Sequence, residues 1–132
     1  MRPLVLVRHA SAGKRAEWEG DDRLRPLDER GRGQAEALAS SLGRSEIDRI
    51  LSSPYVRCVQ TVAALAARTG IQVEERGELA EGASRKEALA LVAELEGMGA
   101  VVCTHGDVVE KLVGEEMKKG EARLLDRPLR TN

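Results

Sequence analysis

Two histidines occur in the 132 residues, His9 and His105, and each stands at the end of a short apolar run. Leu4-Val5-Leu6-Val7-Arg8 precedes His9, and Ala100-Val101-Val102-Cys103-Thr104 precedes His105. Runs of this length and character read as strands buried on both faces, as in a parallel sheet. In open α/β sheets ligands gather beyond the carboxyl ends of the strands, so both imidazoles are expected at one functional edge. A single histidine is more often a core residue, but two out of two at strand ends favour chemistry. Arg8 adjoins His9 where the strand ends and the chain turns, so both side chains can converge on one anion. Arg57 falls in the first turn of a helix expected to start at Ser53. The free N–H groups and partial positive charge at that end favour an anion. The planar guanidinium of Arg57 can grip two phosphate oxygens.

Together these groups suit a phosphoryl group. Two guanidiniums offset its charge, and a neutral imidazole can attack phosphorus in line while the cations hold the equatorial oxygens. His9 is the candidate nucleophile. The leaving atom then needs a proton. Glu81, in Leu79-Ala80-Glu81-Gly82, is the candidate acid and would later deprotonate the attacking water. Taken alone, Arg57 reads as a surface arginine and Glu81 equally well as a solvated loop carboxylate. A metal site is disfavoured, because two histidines without a Cys, Asp or Glu cluster at ligand spacing make a poor donor set. No metal or other cofactor is expected.

The elements that must position these groups follow from patterning. Residues 10–26 are polar, charged and glycine-containing, hence a loop. Asp28 is a plausible N-cap for a helix with Ala35, Leu38, Ala39 and Leu42 at helical spacing, stopped at Gly43. Residues 47–51 form a second strand. Ser53 as N-cap and Pro54 at the first helical position start a second helix. Its apolar stripe is Cys58, Val62, Leu65 and Ala66, and it ends near Thr69 and Gly70. Then come a short strand over 71–74, a loop over 78–84, and a helix over 85–95 on Ala88, Leu91, Val92 and Leu95. The buried strand 100–104 follows, then a turn at His105-Gly106, a helix over 107–113, and an edge strand over 122–125. The tail from Arg127 is expected to be loose. Alternating strands and helices imply one α/β domain over residues 1–132, a three-layer α/β/α arrangement with a mostly parallel central sheet.

Composition agrees. About 42% of residues are apolar and 33% charged, with a net charge of −1, the balance of a soluble globular chain and not of a disordered one. One Trp, one Tyr and no Phe leave the core to Val, Leu, Ile and Ala. No apolar run approaches the roughly 20 residues of a membrane span, and residues 1–7 are too short for a signal peptide. Cys58 and Cys103 lie in apolar surroundings without a CxxC pair, as buried reduced thiols of a cytoplasmic protein do. Acidic and basic residues are balanced and mixed, so neither a nucleic-acid face nor a membrane partner is expected.

Four segments, in order, resemble the histidine phosphatase superfamily, also called phosphoglycerate mutase-like, and more narrowly its small phosphohistidine phosphatase (SixA-like) branch. They are Leu4-Val5-Leu6-Val7-Arg8-His9-Ala10, Arg25-Pro26-Leu27-Asp28-Glu29-Arg30-Gly31, Ser52-Ser53-Pro54-Tyr55-Val56-Arg57-Cys58-Val59-Gln60-Thr61 and Cys103-Thr104-His105-Gly106. The resemblance implies a phosphoglycerate mutase-like fold and a phosphorylated His9. It implies that Arg8, Arg57 and His105 complete a metal-free phosphate pocket. Arg25 matches the arginine of the branch's RPL element near the pocket mouth, and Glu81 the acid of the mutase-type branches. Ser11 and Gly106 complete the expected substrate contacts. Ala10, Ser11 and Ala12 depart from the Arg-His-Gly, polar, Ser pattern of mutases. The long insertions that form a lid over small substrates are missing. An open pocket fits a phosphoryl group carried by a protein side chain, so a phosphohistidine-protein phosphatase is the leading expectation. A phosphatase of small phosphomonoesters or nucleotides and a non-catalytic phosphate-binding module are the alternatives. A phosphomutase would need a closed, water-free site, which short loops do not provide.

Overall fold

Among the described residues, five strands form one sheet: β1 (Leu4–Arg8), β2 (Arg49–Ser52), β3 (Val73–Glu75), β4 (Ala100–Thr104) and β5 (Ala122–Leu125). These come from a computed structural model that describes residues 4–126, 128 and 129. The strand order is β3-β2-β4-β1-β5. The first four run parallel, and β5 pairs antiparallel to β1 as an edge strand. Four helices complete the domain: α1 (Glu29–Leu42), α2 (Val56–Thr69), α3 (Arg85–Glu94) and α4 (Gly106–Val113).

Side chains alternate across a strand, and that alternation builds two aliphatic cores. Val5, Val7, Ile50, Val101 and Cys103 face α1 and α2, meeting Leu38, Ala39, Cys58, Val62 and Leu65. Leu4, Leu6, Leu51 and Val102 face the other way and meet Leu89, Val92, Val108, Val109 and Leu112 of α3 and α4. Helices on both faces of a mostly parallel sheet give the expected three layers. A small third cluster of Ala10, Ala12, Leu27 and Ala35 seats the loop after β1 on α1. Gly31 makes this close approach possible, since a Cβ there would overlap the Ser11 carbonyl oxygen.

Register then assembles the functional edge. Arg8 lies opposite Thr104 and Ser52 opposite Cys103, so β1, β2 and β4 end together. The His9 N–H donates to the Thr104 carbonyl at 3.0 Å and the Ser53 N–H to the Cys103 carbonyl at 3.0 Å, carrying the pairing one residue further.

Several expectations shift. The second and third strands begin two residues later than their patterns suggest, at Arg49 and Val73. The helix expected from Ser53 starts at Val56, with Tyr55 as its N-cap. The Ser53 hydroxyl instead accepts from the Tyr55 N–H at 3.2 Å and meets His105 at 2.8 Å, so a turn replaces the first helical residues. The loop after β1 contains two short 3-10 turns, Arg15–Glu17 and Asp22–Leu24. In the tail, Leu129 packs against the core under α3 and α4 and is not loose there; Arg127 and residues 130–132 lie outside the described residues. Both cysteines are buried and free. No helix among the described residues is long and apolar enough to cross a membrane.

Candidate active site

The two imidazoles meet beyond the sheet edge, with ring centroids 5.4 Å apart. They form part of the wall of a cleft of about 940 Å³ that Arg8, Arg25, Arg57, Glu81 and Gly106 also line. Of the eight site residues expected from sequence, seven are therefore brought together.

His9 is only 7% exposed. Its Nδ1 lies 2.8 Å from the Ala10 carbonyl. A carbonyl can only accept, so Nδ1 carries the hydrogen and Nε2 holds the free lone pair. Burial is the main force lowering the His9 pKa to about 3; the charges of His105, Arg57 and Arg8 add to it, and the bond to Ala10 opposes it. The ring is thus neutral across the physiological range, as a nucleophile must be. The turn that aims it is fixed from α2. The Ala10 N–H donates to the Thr61 hydroxyl at 2.9 Å, which donates to the Arg57 carbonyl at 2.7 Å.

His105 caps α4 and is buried. Its Nε2 sits 2.8 Å from the Ser53 hydroxyl and 3.5 Å from the Cys58 sulfur. Tyr55 packs edge-on against the ring at 4.6 Å. With Nε2 occupied, Nδ1 faces the cleft, 3.8 Å from Glu81 Oε2.

The arginines are held with equal care. Arg8 donates through Nη1 to the Met117 carbonyl at 2.6 Å. Its guanidinium lies against Gly106, where a Cβ would come within 2.9 Å of three of its atoms. Arg57, second residue of α2 and 1% exposed, donates through Nη1 to the Asp22 carbonyl at 2.9 Å. Its Nη2 donates to Asp22 Oδ2 at 3.1 Å and to Glu81 Oε2 at 2.6 Å. Among the described residues, four buried side-chain polar atoms have no partner: Arg8 Nε, Arg57 Nε, His105 Nδ1 and Asp107 Oδ1. The Ser53 hydroxyl accepts from the Tyr55 N–H and so turns its own hydrogen to His105 Nε2, which leaves the ring hydrogen on Nδ1; the first three are then donors on residues lining one cleft. Buried donors normally find partners, and one tetrahedral oxyanion offers acceptors to all three.

Arg25 donates to Asp22 Oδ1 at 2.9 Å and to the Ala12 carbonyl at 2.6 Å, and so ties the loop after β1 along the cleft wall. Glu81 is not a solvated loop carboxylate. Arg15 Nη2 reaches both of its oxygens at 2.8 Å, while Arg57 holds it from inside. Ser11 is the one of the eight that stands apart from the cleft. Its hydroxyl donates to Asp28 Oδ2 at 2.7 Å and its N–H to Gln34 Oε1 at 2.8 Å, and it does not line the cleft. The cause is Asp28, whose other oxygen accepts from the Gly31 N–H at 2.7 Å to cap α1. Ser11 thereby belongs to the junction between loop and helix.

Asp22, Arg15, Ser53 and Thr61 complete the site; from sequence Ser53 is expected only as a helix cap and Thr61 only as part of a matching segment. Only the seating of Asp22 three residues before Arg25 offered a local signal. Among the described residues no three His, Cys, Asp or Glu side chains gather as a metal site.

Comparison with known proteins agrees with this geometry. The model of the histidine phosphatase superfamily (branch 1) matches residues 4–86, which include Arg8, His9, Arg57 and Glu81. An 8-oxo-(d)GTP phosphatase of Mycolicibacterium smegmatis is 37% identical over 117 residues, covering 85% of this chain and 36% of that protein. The chain spans little more than a third of the length of the curated relatives it matches. A solved structure described as phosphohistidine phosphatase SixA from Agrobacterium tumefaciens superposes with a TM-score of 0.81 at 27% identity, over 98% of this chain and 94% of that one. A second SixA structure, from Nakamurella multipartitia, has a TM-score of 0.66 at 34% identity, over 82% of this chain and 61% of that one. The family match over residues 4–86, well over half of the chain, places this chain in the histidine phosphatase superfamily, branch 1, and the superposition shows its phosphoglycerate mutase-like fold.

Proposed function

We propose that the chain is a metal-independent phosphatase that passes the phosphoryl group through His9. The observation that carries this reading is the neutral, Nδ1-protonated His9 beside three buried donors without partners. In the first step the phosphoryl oxygens accept from Arg8 Nε–H, Arg57 Nε–H and His105 Nδ1–H. Glu81 takes a proton from solvent as substrate arrives; His9 Nε2 then attacks phosphorus, and the bond to the leaving atom breaks as the Glu81 carboxyl gives that proton to it. The phosphoryl group and Glu81 draw on one guanidinium, the first through Nε–H and the second through Nη2, and Glu81 Oε2 also lies 3.8 Å from His105 Nδ1. In the second step water attacks the phosphorus of phospho-His9, Glu81 takes its proton, and orthophosphate and neutral His9 are restored. The cations stabilise charge that builds on the equatorial oxygens in both steps.

A phosphohistidine on a protein is the preferred substrate. The cleft is wide, and the two similar solved structures bear the SixA name. A second reading, a nucleotide or small phosphomonoester, draws on the 8-oxo-(d)GTP phosphatase relative and on Lys14 and Lys119 at the cleft, which suit further phosphates. The free, buried cysteines favour a reducing, cytoplasmic setting.

The test is orthophosphate release in excess chelator from a phosphohistidine protein and from a panel of phosphomonoesters and nucleotides, with His9→Ala alongside. Release that survives the chelator and is lost in His9→Ala supports the reading, and the best substrate identifies the class. A folded protein that binds orthophosphate but releases none from any substrate would make the pocket a recognition site.

A further inference from the structure

We infer that Asp22 is a positioning residue of the phosphoryl site, one that aims Arg57 and also weakens the grip of the pocket on anions. The inference rests on the phosphatase reading above and extends it to a residue that does not touch the phosphoryl group. Asp22 opens the 3-10 turn Asp22–Leu24 and meets Arg57 twice. Its carbonyl accepts from Nη1 at 2.9 Å and its Oδ2 from Nη2 at 3.1 Å. Two bonds to one planar guanidinium fix its rotation as well as its position. With Nη2 also held by Glu81, Nε–H and one Nη1 hydrogen remain, and Nε is buried without a partner on a residue that lines the cleft. The other carboxylate oxygen accepts from Arg25 Nε at 2.9 Å, and Arg15 Nη2 lies 3.5 Å from Oδ2. One side chain therefore couples three arginines of the cleft.

An anion at this point also has an electrostatic consequence. Its negative charge opposes the phosphate at a distance of one guanidinium. Burial pulls the Asp22 carboxyl up, but the bond from Arg25 and the charges of Arg57, Arg25 and Arg15 outweigh it and hold it below the ordinary range. Asp22 thus stays charged through the working range of pH. Aim and charge make opposite contributions: the first favours the transition state, while the second keeps substrate and product from binding too tightly.

Asp22→Asn keeps an acceptor oxygen and removes the charge; Asp22→Glu keeps the charge and displaces it by one methylene. In Asp22→Asn the single acceptor oxygen can serve Arg57 or Arg25 but not both, so kcat falls about tenfold or more, as expected for a misaimed group, while orthophosphate binds at least about threefold more tightly by calorimetry. In Asp22→Glu, kcat falls similarly and phosphate affinity stays near wild type. With Arg57→Lys as background, Asp22→Asn produces no further loss of kcat. Unchanged kcat, a parallel weakening of turnover and phosphate affinity, or losses that add in the double variant would each overturn the inference. The phosphate titration needs no turnover. Should the wild type hydrolyse nothing, the phosphatase reading fails, and unaltered phosphate affinity in Asp22→Asn would separately overturn the charge role of Asp22.

Discussion

Lowering the pH from 7.5 to 4.5 perturbs one group whose response the structure defines in advance. His9 is 7% exposed and its pKa is lowered from 6.5 to about 3. In the unfolded chain the imidazole takes a proton near pH 6.5; in the folded chain it resists until about pH 3. Between those values the unfolded state binds more protons, so stability falls as the pH falls. The contribution of His9 is fully present above about pH 6.5 and is lost on the way down to about pH 3. Each pH unit inside the window costs about 1.4 kcal/mol, so at pH 4.5 the loss from this residue is roughly 2–3 kcal/mol. Carboxylates titrate in the same range, so a reference is needed. His9→Gln carries no ionisable group at the site and shares every other titration. Urea unfolding of both proteins at pH 7.5, 6.5, 5.5 and 4.5 isolates the term. The stability of the wild type relative to His9→Gln should decline by roughly 2–3 kcal/mol across the series. Parallel curves would refute the reasoning, because His9 would then accept a proton as readily folded as unfolded and would not be held as a neutral nucleophile.

Other outcomes follow from single contacts. Gly106→Ala places a Cβ within 2.9 Å of the Arg8 guanidinium. Displacing that group should lower kcat/KM by about ten- to a hundredfold, with an unfolding midpoint close to that of wild type, both read on the same preparation. Ser11→Ala removes the bond to Asp28 and should cost about 0.5–1.5 kcal/mol in urea unfolding, while kcat/KM stays near the wild-type value; a large kinetic loss would return Ser11 to the substrate.

The parts of this architecture that were legible in the sequence share one property: local pattern and tertiary demand agree. Strands β1 and β4 are buried on both faces, so they read as continuous apolar runs, and a histidine directly after each run falls at the sheet edge. The site residues that escaped notice take their roles from distant partners. Asp22 and Arg15 stand in a polar loop whose charges resemble an ordinary solvated surface, yet their partners Arg57 and Glu81 are 35 and 66 residues away. The start of α2 was misplaced for the same reason. Ser53 and Pro54 form a sound local cap signal, but His105, 52 residues on, recruits the Ser53 hydroxyl. Ser11 follows the nucleophile closely in sequence, and only the cap formed by Asp28 reveals that its hydroxyl turns to α1.

The most direct test of the central claim is to trap the phosphoryl group on the protein. Wild type is mixed with a 32P-labelled phosphohistidine protein, quenched in alkali within milliseconds, and digested for mass spectrometry. An acid-labile, alkali-stable label on Nε2 of His9, forming and decaying no slower than turnover and missing from His9→Ala, is the predicted result. Turnover with no label on His9, or with a label on another residue, would contradict the account.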